Sequence, residues 1–68
     1  MCEANAYLVK DNKEELLMEA VDRIEPEGDG ICLRSIFGEQ RFLNGYVYSL
    51  SLVDNKVYLK EGEKKEQD

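Results

Sequence analysis

The sequence predicts a small antiparallel all-β domain, on two observations. Turn signals recur roughly every eight to twelve residues, a spacing that suits short strands; they lie at Asp11-Asn12, Pro26 to Gly30, Gly38-Glu39, Asn44-Gly45 and Asp54-Asn55. Between them, several segments alternate apolar with polar positions, the period of a strand that buries one face.

Taken in order, the chain opens with alternating small and apolar residues up to Lys10. The next segment is ambiguous. In NKEELLMEAVDRI, Leu16, Leu17, Ala20, Val21 and Ile24 recur at helical spacing, and Asn12 with Glu15 resembles a capping box. Met18, Val21 and Ile24 also fit two short strands broken near Glu19. By periodicity alone Glu14 to Ile24 reads as a helix in preference to strands. Ile31 to Phe37 then reads as a strand, with Ile31, Leu33, Ser35 and Phe37 on one side and Cys32, Arg34 and Ile36 on the other. Tyr46 to Leu52 alternates Tyr46, Tyr48, Leu50 and Leu52 against Val47, Ser49 and Ser51, and Lys56 to Lys60 alternates Val57 and Leu59 against polar or charged neighbours. Asp54-Asn55, two residues tolerant of positive φ, is the expected link of a hairpin between these last segments. From Glu61 onward EGEKKEQD has no apolar residue and cannot repay the entropy of ordering. The expected organisation is one β domain over residues 1–60 and a disordered charged tail over 61–68.

A chain of 68 residues buries a modest core, and small domains commonly gain the missing burial from a partner subunit, so a homodimer is expected. The chain carries 15 acidic against 9 basic residues, a net charge of -6. That balance works against nucleic-acid binding, which depends on neutralising phosphates. Met1 to Lys10 has no basic cluster followed by an apolar run, and no stretch is long and apolar enough for a membrane span, so a cytoplasmic location is expected. There Cys2 and Cys32 would stay as thiols. The chain has no histidine. This removes the commonest general base, every Ser-His or Cys-His pair and every Cys2His2 metal site, and an enzyme is not expected.

Cys2 is the residue that raises a chemical question. If the initiator methionine is removed, the thiol and a free α-amine share one residue and together form a small chelate. Both can lose protons near neutrality when a metal competes for them, and nearby backbone amides can join as ligands. Square-planar nitrogen and sulfur donors favour Ni(II) or Cu(II). In a two-fold dimer joined at its N-termini, each copy would contribute Cys2 to one shared ion. The plainer reading is an incidental exposed thiol, or a small hydrophobe at the start of the first strand.

The order of features carries a resemblance. Met1-Cys2 and the small-apolar first strand are followed by EELLMEAVDRIEPEGDGICL, an Ile36-Phe37-Gly38-Glu39 turn, a short Arg41-Phe42-Leu43 strand and a closing VDNKVYL hairpin. This arrangement resembles the small CooT-type nickel-binding proteins over nearly the whole chain to about Lys60. The resemblance implies a mostly β homodimer that handles Ni(II) as a store, chaperone or sensor, with a nickel-enzyme maturation partner. It assigns the metal-ligand role to Cys2 alone. It also implies that EELLM and DRIEPEG are strands, for a barrel-like fold of about six or seven strands.

Other groups read more plainly. Cys32 sits in an apolar strand and suits a buried structural thiol better than a second ligand. Tyr46, Tyr48 and Tyr58, with Phe37 and Phe42, suit core or dimer packing better than a base-stacking platform, since few basic residues accompany them. Glu14, Glu15, Glu19, Asp22, Glu25, Glu27 and Asp29 lack calcium-loop spacing and read as a solvated face, and Gly28 and Gly30 around Asp29 read as a turn. The competing functional reading is a small Sm-like RNA-binding barrel, which the charge disfavours. A metal-free interaction module, for which Cys2 is irrelevant, is a third.

Overall fold

The computed structural model describes residues 3–62, which form six strands and no helix. Strand β1 is Ala4–Lys10, β2 is Lys13–Glu27, β3 is Gly30–Ser35, β4 is Gln40–Leu43, β5 is Gly45–Ser51 and β6 is Lys56–Glu61. Residues 1–2 and 63–68 lie outside the described part, so Cys2 and most of the expected charged tail lie outside it as well.

Asp11 and Asn12, with φ of 54° and 63°, close the β1–β2 hairpin between the paired Lys10 and Lys13. Positive φ at both positions is the two-residue turn whose twist matches the strands it joins. The β2–β3 hairpin also has a two-residue turn, Gly28 and Asp29 between Glu27 and Gly30, with positive φ at Gly28 (62°) and not at Asp29. Pro26, expected in the turn, instead lies within β2 opposite Ile31. It is tolerated because β1 pairs with β2 only as far as Val21, which leaves the outer side of β2 there without a ladder that needs an N–H.

The segment with helical spacing is one strand of 15 residues. Its register against β1 runs Ala4–Val21, Ala6–Met18 and Tyr7–Leu16, so β2 carries extra residues around Ala20 and at Leu17. A further irregularity against β3 falls between Val21 and Arg23. Each bulge adds a residue without a turn of the ladder. As a result Met18 and Val21 enter the core and Ile24 packs against it, three residues apart in a strand whose undisturbed period is two.

The strand order is β4-β3-β2-β1-β6-β5, and the β1–β6 pairing is parallel while the others are antiparallel. β4 and β5 therefore lie at opposite edges of the sheet, yet Asn44 alone joins them. A flat sheet cannot satisfy that connection, and this one curls into a half-barrel with β3 approaching β5. The seam is crowded: a Cβ on Gly30 would collide with the Leu43 carbonyl, and one on Gly45 with the Lys60 carbonyl. The Gly62 N–H donates to the Asn44 carbonyl at 2.8 Å across the same junction. Ala6, Met18, Val21, Leu33, Leu43, Val57 and Leu59 fill the concave side, with Leu33 and Leu59 fully enclosed.

Three local expectations are corrected. The strand expected to reach Phe37 stops at Ser35, because the buried Ser35 hydroxyl accepts from the Phe37 and Glu39 N–H groups and closes a turn. Simple alternation fails in β5: the register shifts between Val47 and Ser49, so Val47 and Leu50 oppose the inward Leu59 and Val57 while Tyr48 bulges outward. The β5–β6 link spans Leu52 to Asn55 rather than two residues, with Asn55 at φ 55° completing the turn. Phe37, Phe42 and Tyr48 are exposed and contribute nothing to the core.

Candidate functional site

Glu3, the first described residue, follows Cys2 in the sequence, and its surroundings are the described part of the structure next to the expected ligand in the chain. The Asn5 N–H donates to the Asn55 carbonyl at 3.0 Å, which fastens the start of β1 to the β5–β6 loop. That loop is held from within. Asp54 N–H donates to the Ser51 hydroxyl at 3.4 Å, and that hydroxyl lies 3.3 Å from the Asp54 carboxylate. Glu3, Ala4, Val21, Leu50, Leu52, Lys56 and Val57 line a mostly apolar recess of about 140 Å³. Leu52, in this lining, is 84% exposed, and the next residue in the loop, Val53, is 94% exposed.

The remaining sequence candidates do not converge. Cys32 is buried and free, paired across the sheet with Phe42 and Glu25, and its Sγ lies 4.0 Å from the Leu33 carbonyl. Leu33 belongs to the core, so alternation turns Cys32 to the opposite face. Among the described residues no three His, Cys, Asp or Glu side chains gather where they could hold a metal ion. Gly28 and Asp29 form the β2–β3 turn. Another recess, about 430 Å³, is open and lined by Leu17, Met18, Glu39, Gln40 and Arg41, none of them in the lining that holds Glu3. Size alone does not make it the site, because it offers no nucleophile or metal-ligand pair.

One feature escaped the sequence reading. Lys56 Nζ sits 5.5 Å from the centre of the Tyr7 ring, Lys60 Nζ 4.0 Å from that of Tyr48, and the Tyr7 and Tyr58 rings are 5.9 Å apart. The alternation of KVYLK could have placed Lys56, Tyr58 and Lys60 on one outer face. The parallel pairing that sets Tyr7 beside Tyr58 had no local signal.

No described helix is long and apolar enough to cross a membrane. Residues 1–60 match the family described as CO dehydrogenase accessory protein CooT. An uncharacterized protein of Methanocaldococcus jannaschii is 30% identical over 59 residues, covering 87% of this chain and 96% of its own. A crystal structure described as CooT from Carboxydothermus hydrogenoformans is 37% identical, with a TM-score of 0.85 over 91% of this chain and 100% of that one. The fold, the near-complete coverage and the shared identity agree, and the chain belongs to the CooT family.

Proposed function

We propose that this protein is a nickel-handling accessory factor for the maturation of CO dehydrogenase, holding one Ni(II) between the Cys2 residues of a cytoplasmic homodimer. The observation that carries the reading is family membership over a match that begins at residue 1 and so takes in Cys2. Donor chemistry supports it. The described residues gather no competing ligand cluster, and Cys32 is buried in the sheet, which favours a donor set made of the soft Cys2 thiolate and the harder nitrogens beside it. Two such sets, one from each copy, fit the square-planar preference of Ni(II).

When bound, the ion would link the two subunits. The chain's own part is to fasten the start of β1 to the β5–β6 loop through the Asn5–Asn55 hydrogen bond, and the Cys2 thiol would be the group shared with a second copy or passed to a client enzyme. The role is binding and delivery, without catalysis. Titration or equilibrium dialysis is expected to give about one Ni(II) per two chains, as two-fold sharing requires. Cys2→Ala is expected to abolish binding. Tight nickel binding by the alanine variant at the same stoichiometry would overturn the assignment.

A further inference from the structure

We propose that two copies of this chain associate through the end of the sheet formed by the start of β1 and the β5–β6 loop, the Leu52-Val53 tip of each copy entering the recess of the other. The inference rests on the dimeric reading above and names the surface that would bring the N-terminal segments together.

The tip is unusual for its position. A four-residue connection is ordinarily met by Gly, Asn, Asp or Ser, whose chemistry suits turns. Here Asp54 and Asn55 do that work, while Leu52 and Val53 stand 84% and 94% exposed and serve no fold requirement. The tip is also held in place, since hydrogen bonds tie Ser51 to Asp54 and Asn55 to Asn5. A held apolar projection loses little conformational freedom on binding.

Beside it lies its complement. Ala4, Val21, Leu50 and Val57 give the recess apolar walls around about 140 Å³. An apolar cavity of about 150 Å³ takes a benzene-sized group, so a branched aliphatic side chain fits this one. Projection and recess adjoin within one patch, which is what an isologous two-fold contact demands; on separate faces they would build open chains. Glu3 and Lys56 sit in the same lining, one acid and one base. Across a two-fold axis each can meet its opposite, so the contact does not stack like charges despite the net charge of -6.

The test is the mass in solution, by sedimentation equilibrium, of wild type, the double variant Leu52→Asp/Val53→Asp, and Phe37→Asp at a second exposed site, each with and without Ni(II). Wild type is expected to dimerise without metal. The double variant is expected to dissociate at least roughly 100-fold more readily, the scale of losing a central apolar anchor. Phe37→Asp should leave the mass unchanged. Far-ultraviolet circular dichroism and cooperative melting should remain, since none of these side chains is buried. A double variant that stays dimeric, a wild type monomeric with and without nickel, or dissociation caused by Phe37→Asp would overturn the proposal. The failures are separable: a dimeric, nickel-binding double variant removes this surface and leaves the Cys2 reading intact. Nickel retained by Cys2→Ala, with the double variant monomeric, does the reverse.

Discussion

Asn5 and Ala20 show how one residue pair permits a bend in the sheet. Ala20 has φ 56°, a left-handed conformation that costs an L-residue about 1–2 kcal/mol. Its bulge takes the backbone out of the regular ladder, but both polar groups are met. The N–H donates to Asn5 Oδ1 at 3.2 Å, and the carbonyl accepts from the Ile36 N–H at 2.9 Å. Asn5→Ala removes the acceptor and leaves a partly buried N–H without its partner, for an expected loss of about 1–2 kcal/mol in denaturant unfolding. Asn5→Asp, which keeps an acceptor oxygen, should lose less. Equal effects from the two variants would show that packing rather than this bond holds the bulge.

Among the elements, β2 accounts for the ambiguity in the sequence and for its resolution. A helix and a strand bulged at short intervals both place apolar residues about three apart on one face. Met18, Val21 and Ile24 satisfy either geometry, and periodicity points to the helix, which the structure corrects to a bulged strand. What separates them is pairing on both sides, with β1 and β3, which resolves the segment in favour of the strand implied by the family resemblance. Shorter elements were easier to read, because Asp11-Asn12 and Gly28-Asp29 carry their turn chemistry locally. The tightest joint is between elements, at Gly45, where β5 begins against β6. A methyl group there meets the Lys60 backbone rather than a movable side chain. Gly45→Ala is expected to cost about 1–3 kcal/mol through forced displacement at the seam, read as a lower unfolding midpoint with the β-sheet spectrum retained.

For the molecule as a whole, the limiting quantity is core. Among the described residues only Leu33 and Leu59 of the larger side chains are fully enclosed, and Leu50, Leu52, Val53, Phe37 and Phe42 remain exposed. A chain of 68 residues in this state has reason to draw stability from a second copy and a shared ion. Binding to the folded form alone contributes about 2.7 kcal/mol when free ligand is at 100 times its dissociation constant. For a domain of this size that corresponds to a rise of roughly 10–20 °C in Tm. Nickel is therefore expected to raise Tm of the wild type by that order, and Cys2→Ala is expected to remove the shift. A variant that melts identically to wild type at saturating nickel would place the ion elsewhere.

Local chemistry along the chain dictates the turns, the closing hairpin's turn residues, the absence of histidine-based catalysis and the presence of a thiol at position 2. These follow from neighbouring residues, whose preferences act over a few bonds. The curl, the β1–β6 pairing and the placing of Leu52 in one recess with Glu3 come from folding in three dimensions. They depend on register between residues some fifty positions apart, set by bulges and by one short connection between opposite edges, and no local pattern encodes that.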